Sequence, residues 1–404
     1  MPYEHITAVL GLQGWAVAFM DFHGRELRLH VERTGGLHRC RRCGWQTGQA
    51  YDHGVRQLRD LPLSGRPVYL FTTQWRIQCL ICHAVVTEQL ELCDEGQSMT
   101  RRYEQYLARL CELLPTQTVA AMEGLSWSVV ARVDRKYLER RYQARRLEDV
   151  TRICMDEVAF AKGQKYVTVI SDLRTRHVIW VGKDRSKATV AAFFAQLGPA
   201  ATARIEVVAM DMAPAYIAAV EEGAPQAAIV YDRYHIMQYV HEAVDQVRRD
   251  EQAAADAQGK LTLKHKRWVL LKREKNLKAN ERPKLAELLQ LNANLTTAYV
   301  LKEDFTLLFE CRDLDSAVQF LDDWIKRARA SRLKPFQHLV EQLQRWRFNL
   351  LNYFLHPVSS GLAEAINNKI NVIKRTAYGY RDIQFFMLKI LQRCGGLPPL
   401  EQVL

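Results

Sequence analysis

Between residues 151 and 248 the sequence alternates five short β-rich stretches with three helical ones, and their order constrains the fold more than any other feature. TRICMDEVAF, KYVTVISDL, HVIWVGK, RIEVVAMDM and AAIVYDRYH are β-branched and apolar, several of them continuous enough for strands covered on both faces. SKATVAAFFAQL, APAYIAAVEE and IMQYVHEAVDQVRR carry helical patterns. The order β-β-β-α-β-α-β-α predicts an α/β domain with a mixed sheet, in which three meandering strands precede the first helix.

That order is the ribonuclease H-like one, and it gives the acids a meaning. Asp156 falls in the first strand and Asp211 at the end of the fourth. Those strands are neighbours in such a sheet, so the two carboxylates can share one metal site at the end where open α/β sheets place their ligands. A third acid comes from SSGLAEAINNKINVIKRTAYGYRD, residues 359 to 382. Read as a helix, it aligns Leu362, Ile366, Ile370, Ile373 and Ala377 in an apolar stripe and turns Glu364 away from it, followed by Asn368, Asn371 and Arg375. Alone, that polar face reads as a solvated surface. Together, Asp156, Asp211 and Glu364 form an oxygen set suited to Mg²⁺ or Mn²⁺. Among competing acids, Glu157 should point to the opposite strand face, Asp172 ends the second strand, and Asp232 with His235 follows the fifth.

Four of the nine cysteines form two knuckles, CRRC at Cys40 and Cys43 and CLIC at Cys79 and Cys82. Each knuckle offers two soft ligands from one tight loop, so together they predict a structural four-thiolate zinc site with no position left for water. His38, His53 and His83 lie near enough to replace a thiolate, which keeps the ligand set open. QLRDLPLSGRPVYLFTTQWRIQC, between the knuckles, suggests strands.

Residues 116 to 146 follow with apolar positions at Val119, Ala120 and Met122, a break at Gly124, and Ser126 as an N-cap for a helix through Val129, Val130 and Val133. The pattern resembles a helix-turn-helix, with Arg132, Arg135 and Lys136 near phosphates or base edges; an ordinary helical hairpin is the alternative. A basic run from Lys260 to Lys284 sets ten Lys or Arg, among them Lys264, Lys266 and Arg267, against Glu274 and Glu281. It is either a solvated helix or a phosphate-binding surface. Trp268 within it is either a core residue or a platform for an unpaired base.

With 404 residues and a formal charge of +12, the chain can bury several cores and favours a polyanionic partner. No apolar run approaches the roughly 20 residues that span a bilayer, and MPYEHITAVLGLQGW has no basic region ahead of an apolar core, so a cytosolic location is expected.

Taken together, the knuckles, GLSWSVV, MDEVAFAKGQKYVTVISDL, VVAMDMAPAY, AAIVYDRYHIMQYVHEAVDQVRR and SGLAEAINNKINVIKRTAYGYRD resemble the D-D-E transposases of the ISL-three family of bacterial insertion sequences over nearly the whole chain. The resemblance implies that Asp156, Asp211 and Glu364 are catalytic and hold Mg²⁺ or Mn²⁺. The roughly 110 residues before HPVSSGLAE then correspond to a helical insertion that helps hold the element ends, too long for an ordinary loop. Lys264, Lys266, Arg267 and Trp268 become DNA-contact candidates, and Asn368, Asn371, Lys374 and Arg375 would steady phosphates. The implied partners are double-stranded DNA, as terminal inverted repeats and target, and further copies of the chain in a homodimer or larger assembly on DNA, at the bacterial nucleoid. The expected segments are a zinc module (1–98), a helix-turn-helix (99–150), a ribonuclease H-like core in two parts (151–248 and 356–404) and a helical insertion (249–355). A DNA-binding regulator without catalysis, or a ribonuclease H-like nuclease, are the alternatives.

Overall fold

The computed structural model describes residues 3–147, 149–161, 163, 165–255, 267–358 and 361–402. The chain folds into two compact units, Met1–Ala144 with Pro398–Leu404, and Arg145–Leu397.

The first unit starts with α1 (Glu4–Leu10) and the hairpin β1 (Trp15–His23) and β2 (Glu26–Arg33). Next come a two-stranded ribbon of β3 (His38–Arg39) and β4 (Gln46–Thr47), a long hairpin of β5 (Asp52–Leu63) and β6 (Arg66–Cys79), and β7 (Ala84–Thr87), which pairs with β6. The long hairpin turns through Ser64 and Gly65 at φ 52° and 72°, the doubly left-handed turn that suits strand twist. Strands β1-β2-β6-β5 line up in that order, with β2 and β6 parallel. Leu27, Leu29 and Val31 of β2 and Val68 and Leu70 of β6 alternate into one core, the period of two that a half-buried strand needs.

Three helices follow: α2 (Arg101–Leu113), α3 (Thr116–Glu123) and α4 (Trp127–Gln143). Thr100 caps α2 by accepting from Tyr103 N, and α3 stops at Gly124 in the left-handed conformation that glycine reaches without strain. Ser126 is the N-cap position of α4. Tyr103, Leu107, Val119, Val130, Val133 and Tyr137 close the core between them.

The second unit contains β8 (Arg152–Ala161), β9 (Lys165–Asp172), β10 (Val178–Lys183), α5 (Lys187–Leu197), α6 (Pro199–Thr202), β11 (Val207–Met210), α7 (Pro214–Gly223), β12 (Ala228–Tyr231) and α8 (Arg233–Ala254). Its sheet runs β10-β9-β8-β11-β12. The first three strands are antiparallel neighbours, whereas β11 runs parallel to both β8 and β12. All four residues of β11 are buried, as expected where both sheet faces are covered.

Between this sheet and the helix of Glu364 stand α9 (Arg267–Leu271), α10 (Arg282–Leu291), α11 (Ala293–Leu307), α12 (Leu314–Ala330) and α13 (Lys334–Leu355). Trp324, Phe305 and Phe336 are fully buried there, and the cluster is continuous with the apolar core of the sheet. Asn352 Nδ2 donates to Ile229 O at 2.9 Å, fixing α13 against β12. The unit ends with α14 (Gly361–Thr376) and α15 (Ile383–Cys394). Among the described residues no helix is long and apolar enough to cross a membrane.

Candidate functional site

In the first unit the two knuckles meet. The sulfurs of Cys40, Cys43, Cys79 and Cys82 all lie within 4.8 Å of one another. Four sulfurs at about 2.3 Å from a tetrahedral zinc ion would stand at just such spacing, so the set fits the metal. Burial by itself raises the Cys40 thiol, but the amides of Cys43 and Arg42 and the thiols of Cys79 and Cys43 outweigh it and hold it at about 7. The Cys82 thiol, hydrogen-bonded to that of Cys43 and partly desolvated, is pushed up to about 12. Two of the neighbouring histidines, His38 and His53, have other partners. His38 Nδ1 meets Glu88 at 2.9 Å, His53 packs on the Trp75 ring, and among the described residues the cluster consists of cysteines alone.

The helix-turn-helix positions separate on inspection. Arg132 is exposed on α4 and donates to Gln97 Oε1 at 2.5 Å. Arg135 is half-buried. Lys136 departs from the phosphate-facing role expected of it, because its amine pairs with Asp94 at 2.7 Å and with the buried carboxylate of Glu104. Leaving Glu104 unpaired under α4 would cost more than an added surface cation could return.

The acid site is set by strand register. Ala209 of β11 pairs with Cys154 of β8. Two residues on from that pair come Asp156, still within β8, and Asp211, the first residue past β11, and a period of two directs both to the same face. Cys154 and Ala209 pack under Ala363 of α14, so this face looks towards the helix of Glu364. Asp232 falls in the same row, because Tyr231 pairs with Met210.

Each aspartate ties one oxygen to the backbone. Oδ1 accepts from Glu157 N in Asp156 (2.7 Å), from Ala213 N in Asp211 (3.0 Å) and from Tyr234 N in Asp232 (2.8 Å). Asp156 Oδ2 accepts from Asn367 Nδ2 of α14 at 2.7 Å. Burial pushes the Asp156 carboxyl above its ordinary range. The Glu157 amide, Asn367 and His235 oppose the rise, and the charge of Asp211 adds to it. Burial likewise raises Asp232 against the Tyr234 amide and His235. A half-buried oxygen set with mutually repelling charges is what a hard divalent cation relieves, so the residues fit such an ion. Of the other acids, Glu157 pairs with Arg185 at 2.9 Å, and Asp172 anchors its own turn through Arg174 N and Thr175 Oγ1.

Glu364 lies in the first turn of α14 and is exposed. The residue of α14 that touches Asp156 is Asn367, one turn further on, and among the described residues the three acids are not within the mutual 4.8 Å seen for the cysteines. The sequence reading missed Asn367 because it belongs to neither the apolar stripe nor the Glu364 face. Its one signal was a polar amide flanking Ile366. Asn368 and Arg375 are exposed and Asn371 is half-buried, whereas Lys374 donates to Ala159 O at 2.5 Å and is thereby held on β8.

In the basic run, Lys264 and Lys266 lie outside the described residues. Arg267 opens α9, near Asp245 at 3.5 Å and 5.3 Å from the Trp268 ring. Trp268 is 67% exposed, which removes it from the core. Lys272 and Arg273 pair with Glu281 and Glu310. Beneath them the buried Lys302 amine donates to Leu270 O at 2.9 Å and Lys272 O at 2.6 Å, pinning the segment to α11.

Known proteins resemble this chain in sequence. Residues 153–390 match the family described as Transposase (DDE_Tnp_ISL3), and residues 88–138 match the helix-turn-helix domain of transposase family ISL3. The transposase for insertion sequence element IS1001 of Bordetella parapertussis is 34% identical over 94% of this chain and 95% of its own length. The transposase for insertion sequence element IS1557 of Mycobacterium tuberculosis is 28% identical over 91% of this chain and 88% of its own. The helix-turn-helix, the α/β unit and a match spanning nearly the full chain agree, and the chain belongs to the ISL3 family of insertion-sequence transposases.

Proposed function

We propose that this transposase binds the terminal inverted repeats of its element and catalyses strand cleavage and strand transfer through Asp156, Asp211 and Glu364 on a ribonuclease H-like core. The observation that carries the reading is the Ala209–Cys154 pairing, packed against Ala363 of α14, from which Asp211 and Asp156 each stand two residues on. The strand order β10-β9-β8-β11-β12 supports the core assignment, since it brings the first and fourth strands of the domain together. Mg²⁺ or Mn²⁺ held by the three carboxylates would supply Lewis acidity to the attacking and leaving oxygens of a phosphodiester.

The chain's own residues do the rest. The Glu157 and Ala213 amides fix the rotamers of the two aspartates, so these two carboxylates need little reorganisation. Asn367 holds Asp156 from α14, and Glu364 precedes it by one turn on that helix. Arg132 and Arg135 of α4, Arg267 and Trp268 of α9, and Asn368, Asn371 and Arg375 of α14 are the proposed DNA contacts; Lys264 and Lys266 extend the basic run. Lys374 joins them only through its neighbours, since its amine is tied to Ala159. Water first frees a 3′-hydroxyl at the element end, and that hydroxyl then attacks target DNA. Zinc at Cys40, Cys43, Cys79 and Cys82 is structural, because four thiolates leave no open position. Pairing two ends calls for at least a homodimer on DNA.

Replacing Glu364 by Gln tests the assignment. Cleavage of end DNA is expected to fall below detection with binding affinity unchanged within about twofold; joint loss of binding and folding would instead mark Glu364 as structural.

A further inference from the structure

The turn that ends α14 carries a residue the D-D-E chemistry does not use. Tyr378 is 101% exposed, its ring wholly in water. Tyr380, two positions on, packs its ring 5.0 Å from Phe386, as an aromatic ordinarily does. The backbone of Tyr378 is left-handed at φ 53°, a conformation that bulky side chains rarely adopt. Tyr378 N donates to Arg375 O at 3.1 Å and Gly379 N to Lys374 O at 2.9 Å, closing the helix with the cap whose left-handed position is usually glycine. A tyrosine there strains the backbone and buries nothing. Strain retained without a packing return points to a ligand for the ring.

The surroundings say which ligand. Tyr378 shares an open depression of about 690 Å³ with Asn371, Lys374 and Arg375. Between Glu364 and Asp382 the sequence holds Lys369, Lys374, Arg375 and Arg381 and no acid. A ring presented among cations and an amide suits a nucleobase stacked on its face, with phosphates alongside. In a paired duplex the base faces are already stacked, so the occupant is an unpaired base. Tyr378 stands fourteen residues beyond Glu364, about 20 Å at helical rise. That is roughly six nucleotides from the cut bond at 3.4 Å per step.

We propose that Tyr378 is a stacking platform for an unpaired base of the element-end DNA, an inference that rests on the transposase reading of α14. The test uses the full chain and duplexes from the gene's own flanks, one fully paired and the rest carrying two unpaired positions stepped through the first ten. Affinities are measured by fluorescence anisotropy at fixed salt. At least one stepped duplex is expected to bind about tenfold tighter than the paired one. Tyr378→Ala is expected to lose that gain and Tyr378→Trp to keep it. Tyr378→Gly should lose it too while melting at a higher temperature, a combination that a structural tyrosine would not give. The proposal is overturned if no stepped duplex binds tighter or if Tyr378→Ala keeps the gain. Should the wild type bind and cut paired ends without any such preference, Tyr378 alone is misread. A chain that neither binds nor cuts end DNA overturns the transposase reading of α14 as well.

Discussion

Cys40, Cys43, Cys79 and Cys82 hold their sulfurs within 4.8 Å of one another, whereas Glu364 stands exposed one turn before the Asn367 contact to Asp156. The first set comes from two tight turns flanking strands of a single small region, so the local fold itself brings the ligands together. The second draws on the middle of one strand, the residue just past the end of its neighbour, and a helix that reaches them from more than 140 residues further along the chain. A closed thiolate set has no vacancy for a reactant, and its value is stability. An acid set whose aspartates are already oriented but whose glutamate is unengaged is suited to completion when substrate and ion arrive. On the proposed reading, the chain treats one metal site as part of its fold and another as part of its reaction.

Removing metal should separate the two most sharply. A strong chelator, or Cys79→Ser, is expected to melt the knuckle region and abolish end-DNA binding, since structural zinc contributes on the order of 10 kcal/mol to such modules. Circular dichroism and zinc counting check this; a chain that stays folded and bound without zinc would erase the contrast. Next in size, Asp156→Asn should lower cleavage by about a thousandfold or more, roughly 4 kcal/mol of transition-state stabilisation, with DNA affinity unchanged.

The same substitution should also stabilise the fold. Burial raises the Asp156 carboxyl, so the folded chain binds that proton more tightly than the unfolded one. The stabilisation from this group is complete below the ordinary carboxylate range and is lost as pH rises through the folded value. At neutral pH Asp156→Asn removes that penalty. Its melting temperature should exceed the wild type's by about 2 to 4 °C for each kcal/mol relieved, with the gap closing on acidification. An equal or lower melting temperature at neutral pH would mean the aspartate is stabilised where it sits.

The smallest effects lie on α4. Arg132→Ala should weaken end binding by about tenfold and leave thermal stability alone, whereas Lys136→Met should do the reverse and lower stability by about 1 to 3 kcal/mol, through the unpaired Glu104. Binding isotherms beside melting curves distinguish them.

Local pattern in the sequence was enough to find the strands around Asp156 and Asp211, the helix break at Gly124 and the meeting of the cysteine knuckles. Each depends on short-range periodicity or spacing. The hairpin of β1 and β2 went unread, as did two contacts that depend on packing between distant elements: Asn367 reaches Asp156 across 211 positions, and Lys136 turns to Glu104 on another helix. Helical phase shows which way a side chain points, but not what the opposing surface offers it.

The central claim is tested most directly by incubating labelled duplex from the gene's own flanks with the protein in Mg²⁺ or in chelator, beside Asp211→Asn. Nicking at one position that leaves a free 3′-hydroxyl, present only with Mg²⁺ and absent in the variant, is the predicted result. Binding without cutting, or cutting that Asp211→Asn leaves intact, would contradict it.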